Sequence, residues 1–142
     1  MSIDIKQIAD GGMGLIGGDG SGDGGFLNVT FPYTATAVDQ TIFTADRAFI
    51  VKGIRGRVDV AGTGGAATAT IRKTASGTAI ASGTAVHTGS FNLVGTVNTQ
   101  QALTLTTLAI DLLIPAGTSL CADFTGVLTS ALGTITVSLA PA

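Results

Sequence analysis

The segment from Ala66 to Ala85, AATATIRKTASGTAIASGTA, limits what this chain can fold into more than any other stretch. From Ala67 to Thr74, the residues Ala67, Ala69, Ile71 and Lys73 fall on one side of an extended backbone, and Thr68, Thr70, Arg72 and Thr74 on the other. That two-residue period belongs to a strand, here one with a small-residue face. Ala75-Ser76-Gly77 supplies turn chemistry, because glycine reaches positive φ without steric cost. Thr78-Ala79-Ile80-Ala81 is then expected to return as a second short strand, completing a β-hairpin. The tetrapeptide SGTA begins at both Ser76 and Ser82. A β-helix would need that six-residue step to continue, and it does not.

The rest of the chain extends the β reading. Phe26 to Tyr33 alternates Phe26, Asn28 and Thr30 against Leu27, Val29 and Phe31, with Pro32 near its end. Thr41 to Thr44 is a short apolar piece, and Ala45-Asp46-Arg47 reads as a turn before the long run Phe49 to Ala61. In the second half of that run Ile54, Gly56, Val58 and Val60 share one face, while Gly53, Arg55, Arg57 and Asp59 share the other, the pattern of an antiparallel sheet wet on one side. Ala85 to Asn98 is irregular, with Phe91 and Leu93 as core anchors. Leu103 to Leu113, Ser119 to Phe124 and Thr134 to Leu139 complete the strands, with Thr129 to Gly133 as a loop. Threonine occurs 22 times and glycine 21, and there is no Glu and no Trp, a composition that favours sheets over helices. Strands recurring between Gly-rich turns predict an all-β fold, a sandwich or jelly roll of about eight strands. Ile54, Val58, Ile71, Leu103, Leu105, Leu120 and Phe124 are the expected core.

Residues 1–25 differ from this body, residues 26–142. They end in GGDGSGDGG (Gly17 to Gly25), whose backbone entropy opposes regular structure, so a flexible N-terminal arm and linker are expected ahead of one domain. Ser2 to Gln7 alternates Ile3 and Ile5 with Asp4 and Lys6, a pattern able to add a strand to a sheet edge. Ile3, Ile5, Ile8, Met13, Leu15 and Ile16 are candidate contacts to a capsid or an adjacent copy.

The residue inventory excludes most chemistry. Catalysis needs a positioned acid, base or nucleophile, and the chain has one His and one Cys. Cys121 is expected as a small buried strand residue and His87 in a polar loop, with no third group to orient a dyad, so no enzyme is expected. Zinc fails on the same count. Asp19-Gly20-Ser21-Gly22-Asp23-Gly24 opens like a calcium loop, but Thr30 stands where the bidentate acid belongs. Gly20, Gly22 and Gly25 match a dinucleotide fingerprint with no strand before and no helix after. No cofactor or metal is expected. Thr-x-Thr pairs at Thr34/Thr36, Thr68/Thr70, Thr104/Thr106 and Thr134/Thr136 are too irregularly spaced for an ice-binding rank, and β propensity accounts for them.

A net charge of -2 and a pI near 4.9 give no field to collect nucleic acid or an anionic membrane. The window Gln101 to Ala122 is broken by Asp111 and Pro115 and is no transmembrane span. One cysteine makes no internal disulfide, and the N-terminus lacks a signal-peptide pattern, so folding in a reducing cytoplasm is expected. With 11% charged residues and a mean hydropathy of +0.53, apolar area is left for a partner, which predicts an oligomer. Six of the seven basic residues lie between Arg47 and Lys73. Arg55, Arg57 and Arg72 are candidates for meeting an acidic partner surface, against the plainer reading of a solvated sheet face.

The phrases SGTAIASGTA, FNLVGTVNTQ (Phe91 to Gln100), IPAGTSLCADFTG (Ile114 to Gly126) and GTITVSLAP (Gly133 to Pro141) together resemble small all-β virion proteins of tailed bacteriophages that decorate or cement the head. The resemblance covers residues 48 to 142. It implies a jelly-roll-like subunit, commonly trimeric, bound to the major capsid protein on lattice axes at the capsid exterior, with no catalytic motif. The rival class is a receptor- or glycan-binding β module of a tail or cell surface. Such modules present aromatic platforms, and aromatics here are 5% with Tyr33 the sole Tyr.

Overall fold

The computed structural model describes residues 25–142. The expected arm, with Ile3, Ile5, Ile8, Met13, Leu15 and Ile16, and the loop Asp19 to Gly24 lie outside the described residues. Ten strands follow: β1 (Leu27–Tyr33), β2 (Gln40–Thr44), β3 (Phe49–Val60), β4 (Ala67–Thr74), β5 (Thr84–Ala85), β6 (Phe91–Asn92), β7 (Thr99–Ala102), β8 (Leu113–Ile114), β9 (Ser119–Gly126) and β10 (Leu132–Pro141). A 3-10 turn covers Ile80–Ser82, and one helical turn, α1, covers Ala109–Leu112.

Two antiparallel sheets form. In the first the order is β1-β10-β3-β7, with β8 also beside β3; in the second it is β2-β9-β4-β5, with β6 also beside β4. The chain crosses between sheets at β1 to β2, β2 to β3, β3 to β4, β6 to β7, β8 to β9 and β9 to β10, and the first and last strands are neighbours, as are the second and ninth. That is the winding of a jelly roll. Pro32 sits in β1 opposite Thr134, where an edge strand tolerates its missing N–H.

The core is the set of inward faces that alternation placed there. Ala67, Ala69 and Ile71 from β4, Leu120 and Ala122 from β9, Ile135, Val137 and Leu139 from β10, and Ile54 and Val58 from β3 are all at or below 1% exposure. The phase of β3 is not constant along its length: Phe49 and Val51 are buried, then Ile54, Gly56 and Val58. A register shift between Ser138 and Leu139 opposite Val51–Gly53 supplies the extra residue, the effect of a β-bulge. Leu103, Leu105 and Phe124 are half-buried at the margin of the core rather than within it. Phe124 meets the rings of Phe31 at 6.4 Å and Tyr33 at 6.0 Å.

Two expected strands are corrected. The return strand is Thr84–Ala85, paired with Arg72 and Lys73, and not Thr78 to Ala81, because Gly83 must pass so close to β4 that a Cβ there would lie 2.5 Å from Thr74 Cγ2 and 2.7 Å from Lys73 O. The run Leu103 to Leu113 is not one strand. Leu103 N–H donates to Ile54 O, Thr106 N–H to Val86 O, and Thr88 N–H to Thr104 O, so the chain leaves β3 here to run beside Val86–Thr88 before β8 returns it to β3. The α1 turn that follows is held by Lys73 Nζ donating to the carbonyls of Ile110 and Leu113, carbonyls that a helix end leaves unsatisfied. Leu132 and Gly133, expected in a loop, open β10. The Gln101 side chain closes the same flank, accepting from Asn92 N–H at 2.9 Å and donating to Asn92 O at 2.7 Å. Among the described residues, no helix is long and apolar enough to cross a membrane.

Candidate interaction surface

The two nucleophile-type side chains are fixed by separate structural partners. Cys121 is buried on β9, its Sγ 3.2 Å from Thr74 Oγ1 and 3.5 Å from Thr41 Oγ1. His87 is not in a polar loop as its neighbours imply. It is buried, at 4% exposure. Its Nε2 accepts from Ile71 N–H at 2.9 Å, so Nδ1 carries the proton and faces Thr88 O at 3.2 Å. Burial holds this imidazole below its ordinary pKa; the Thr88 carbonyl opposes that shift and the Arg72 charge adds to it. The unfolded state therefore takes up a proton that the folded state resists. The stability due to neutral His87 is complete above about pH 6.5, the ordinary histidine value, and is lost as pH falls below it through the folded value. Urea midpoints measured from pH 7.5 to 5 should fall along that limb in the natural protein and fall less in His87→Gln, which does not titrate. Among the described residues no cluster of three His, Cys, Asp or Glu can hold a metal.

What the first sheet offers instead is its outer face. Alternation that sends Ile135 and Val137 inward sends Thr134, Thr136 and Ser138 outward, and the register aligns Thr30, Thr136 and Arg55 in one row and Pro32, Thr134, Arg57 and Gln100 in the next. Thr30 and Thr136 hydroxyls share a hydrogen bond of 2.7 Å, and Ser138 Oγ donates to Asn28 Oδ1 at 2.7 Å. These side chains line a shallow trough of about 460 Å³. Arg57 Nε donates to Asp59 Oδ1 and its Nη2 to Asn98 Oδ1, both at 3.0 Å, which fixes the guanidinium beside the trough. Arg55 has no salt bridge among the described residues. The surface is an arrayed set of hydroxyl and amide groups with two cations. It is suited to hydrogen-bonding and charge pairing.

Arg72 is not part of that face. It lies on β4 in the opposite sheet, where Nε donates to Asp123 Oδ2 at 2.6 Å and Nη1 to Gly83 O at 3.1 Å. Asp123 is buried at 8% exposure, and the segment around Ile80–Ser82 lies against β4 and β9. The sheet face that would expose Arg72 is thus covered by the chain itself. Of the six clustered basic residues, Arg55 and Arg57 stand together on one face, while Arg72 and Lys73 hold local structure. The hydroxyl rows are not evident from the sequence, although Thr134/Thr136 is their visible trace.

At the end of the sandwich where the described chain begins, Phe26, Leu27, Phe43, Phe49 and Pro141, with Thr44, Asp46 and Arg47, border a groove of about 590 Å³ that includes Gly25. Phe26 is 61% exposed there.

No protein-family model matches the chain, and no curated protein does. Among solved structures, a chain from Bacillus endospore appendages, a family of disulfide-linked pili, is similar over 82% of this chain and 85% of its own, with 13% identity and a TM-score of 0.42. A chain of infectious bursal disease virus, Gx strain, is similar over 80% of this chain with 18% identity and a TM-score of 0.33. One of the Gt strain is similar over 84% with 19% identity and a TM-score of 0.32. This chain spans 31% and 33% of those two viral chains. These are distant likenesses of β architecture, and no function comes with them.

Proposed function

We propose that this chain is a non-enzymatic structural subunit of a phage virion that decorates and stabilises the capsid, docking as a homotrimer on the major capsid protein lattice at the particle exterior. The observation that carries this reading is the outer face of the first sheet, a broad polar surface on which Arg55 and Arg57 stand one row apart among hydroxyls. Such a face fits an acidic, hydrogen-bonding protein surface. Many weak copies on a lattice gain from multivalency, so each contact is allowed to be modest. A jelly roll alone leaves function open, and the resemblance in the phrases from Ser76 to Pro141 supplies the capsid context. The trough that a glycan-binding module would use has no aromatic platform among its lining residues, which favours protein docking over sugar binding.

The test is binding of the purified protein to heads that lack it, followed by cryo-electron microscopy of the decorated particle. Density on lattice axes is expected. Arg55→Glu/Arg57→Glu should weaken binding by roughly 10-fold or more, with most of the loss at low salt, where charge pairing is least screened. Retention of full affinity by that variant removes the face from the interface. A clean monomer at micromolar concentration in sedimentation rejects the trimer.

A further inference from the structure

We propose that the trough on the outer face of the first sheet seats an extended acidic segment of the docking partner, laid along β10, with carboxylates two residues apart reaching Arg55 and Arg57. This rests on the reading of that face as the docking surface, and it names what docks there. The trough has a floor and two walls. Thr134, Thr136 and Ser138 of β10 are half-buried, and they lie between exposed Asn28 and Thr30 on β1 and exposed Arg55 and Arg57 on β3. Strands two spacings apart stand about 9.4–9.8 Å from each other, which leaves too little room between side-chain walls for an α-helix about 10–12 Å across. One extended chain fits. Its side chains i and i+2 point the same way at intervals of about 6.6–6.8 Å, the same interval that separates Arg55 from Arg57 along β3.

The two walls differ in what they leave to a partner. On the β1 side the floor is already engaged, since the Thr136 hydroxyl shares a hydrogen bond with Thr30 and Ser138 Oγ donates to Asn28 Oδ1. The charge lies on the β3 side. Arg55 stands between Thr136 and Ala102 and has no salt bridge among the described residues, so its whole charge is open to an anion. Arg57 donates to Asp59 Oδ1 and Asn98 Oδ1, both at 3.0 Å, and the Asp59 carboxylate offsets part of its charge. Arg55 is therefore the stronger anchor, and Asp59 competes with the partner's carboxylate at Arg57. A single nucleic-acid strand also carries anions at regular intervals, but such strands are held by aromatic side chains on which bases stack, and none lines the trough.

The experiment titrates the full chain at low salt with an end-blocked octapeptide alternating Asp with Thr, and with its isomer in which Asp pairs alternate with Thr pairs, so that no two Asp stand two residues apart. Amide chemical shifts are followed by nuclear magnetic resonance. The alternating peptide should give saturable shifts at Thr134, Thr136, Ser138, Arg55 and Arg57 with the core amides unmoved, and it should bind more tightly than the isomer. Exposed ion pairs contribute about 1.4–5-fold each. Arg55→Gln should weaken the alternating peptide by the upper part of that range and Arg57→Gln by the lower part. Asp59→Asn, which keeps an oxygen to accept from Arg57 Nε, should tighten binding, a gain that a merely structural Asp59 would not give. Equal affinity for the two peptides overturns the proposal, because net charge alone then suffices. Absence of saturable shifts in the trough at millimolar peptide also overturns it, as does tighter binding there of a thymidine oligonucleotide of equal charge. Unchanged or weaker binding in Asp59→Asn rejects the competition at Arg57. If Arg55→Glu/Arg57→Glu loses head binding while the two peptides bind alike, capsid docking stands and the extended segment falls; if the peptides are distinguished while that variant binds heads fully, the seat stands and its use on the capsid falls.

Discussion

Phe91→Ala should remove about 3–5 kcal/mol of folding stability, as large-to-small changes of fully buried aromatics do. Against the roughly 5–15 kcal/mol that holds an ordinary domain together, this is the most damaging single truncation expected in the chain. Phe91 is 1% exposed and the largest of the fully buried side chains. Its ring lies under Gly56 of β3, where a Cβ would sit 2.8 Å from Phe91 Cε1 and 3.0 Å from Cδ1. Glycine is thus required at position 56 by its neighbour, not by backbone conformation. Gly56→Ala alone should cost about 1–3 kcal/mol through overpacking. In Gly56→Ala/Phe91→Leu the added methyl enters space that the ring has vacated, so the pair should be less destabilised than the sum of its singles, by about 0.5–3 kcal/mol. Urea unfolding of the natural protein, the two single variants and the double variant measures that coupling, and strictly additive losses would show that the glycine is not there to make room for the ring.

Gly56 and Phe91 also show what is legible in the sequence. The alternation Ile54, Gly56, Val58 puts Gly56 on the core face, and Phe91 stands out as an anchor in an irregular stretch, but nothing local says that the two touch across the sandwich. The same holds elsewhere. Where the two-residue period is set by burial of one face, as in Ala67 to Thr74 and Thr134 to Leu139, the strands form where the alternation places them. Where a distant group decides, they do not. Lys73 binds the carbonyls of Ile110 and Leu113 and turns an apolar run into a helical turn, and Ile71 N–H draws His87 into the interior. The interaction surface is half legible: the alternation Arg55, Arg57 marks an outward face, but only the register with β10 reveals the hydroxyl rows beside it. Arg72 alternates just as Arg55 does, and is covered because the segment after the turn folds back over its sheet.

That covering fold-back is where the second large effect is expected. Arg72→Met should cost about 2–4 kcal/mol, a little under the range for breaking a fully buried ion pair, since the Arg72 side chain is 26% exposed and that of Asp123 11%. The loss is not chiefly the attraction itself. It is the carboxylate left opposite Thr70 on a covered sheet face, together with the carbonyl of Gly83 deprived of its donor. Asp123→Asn, which keeps an oxygen to accept from Arg72 Nε, should cost less, about 1–3 kcal/mol. Arg72→Met/Asp123→Leu removes both charges and should be more stable than Arg72→Met, because no ion remains to be desolvated. If the double variant instead loses the sum of its parts, the two side chains are not coupled and an unpaired buried charge is not the source of the loss. Limited proteolysis between Ala75 and Gly83 should speed up in Arg72→Met, since the guanidinium ties that segment to β4. Binding to heads should be unchanged in the fraction that stays folded, because this arginine faces the chain's own backbone while Arg55 and Arg57 face outward.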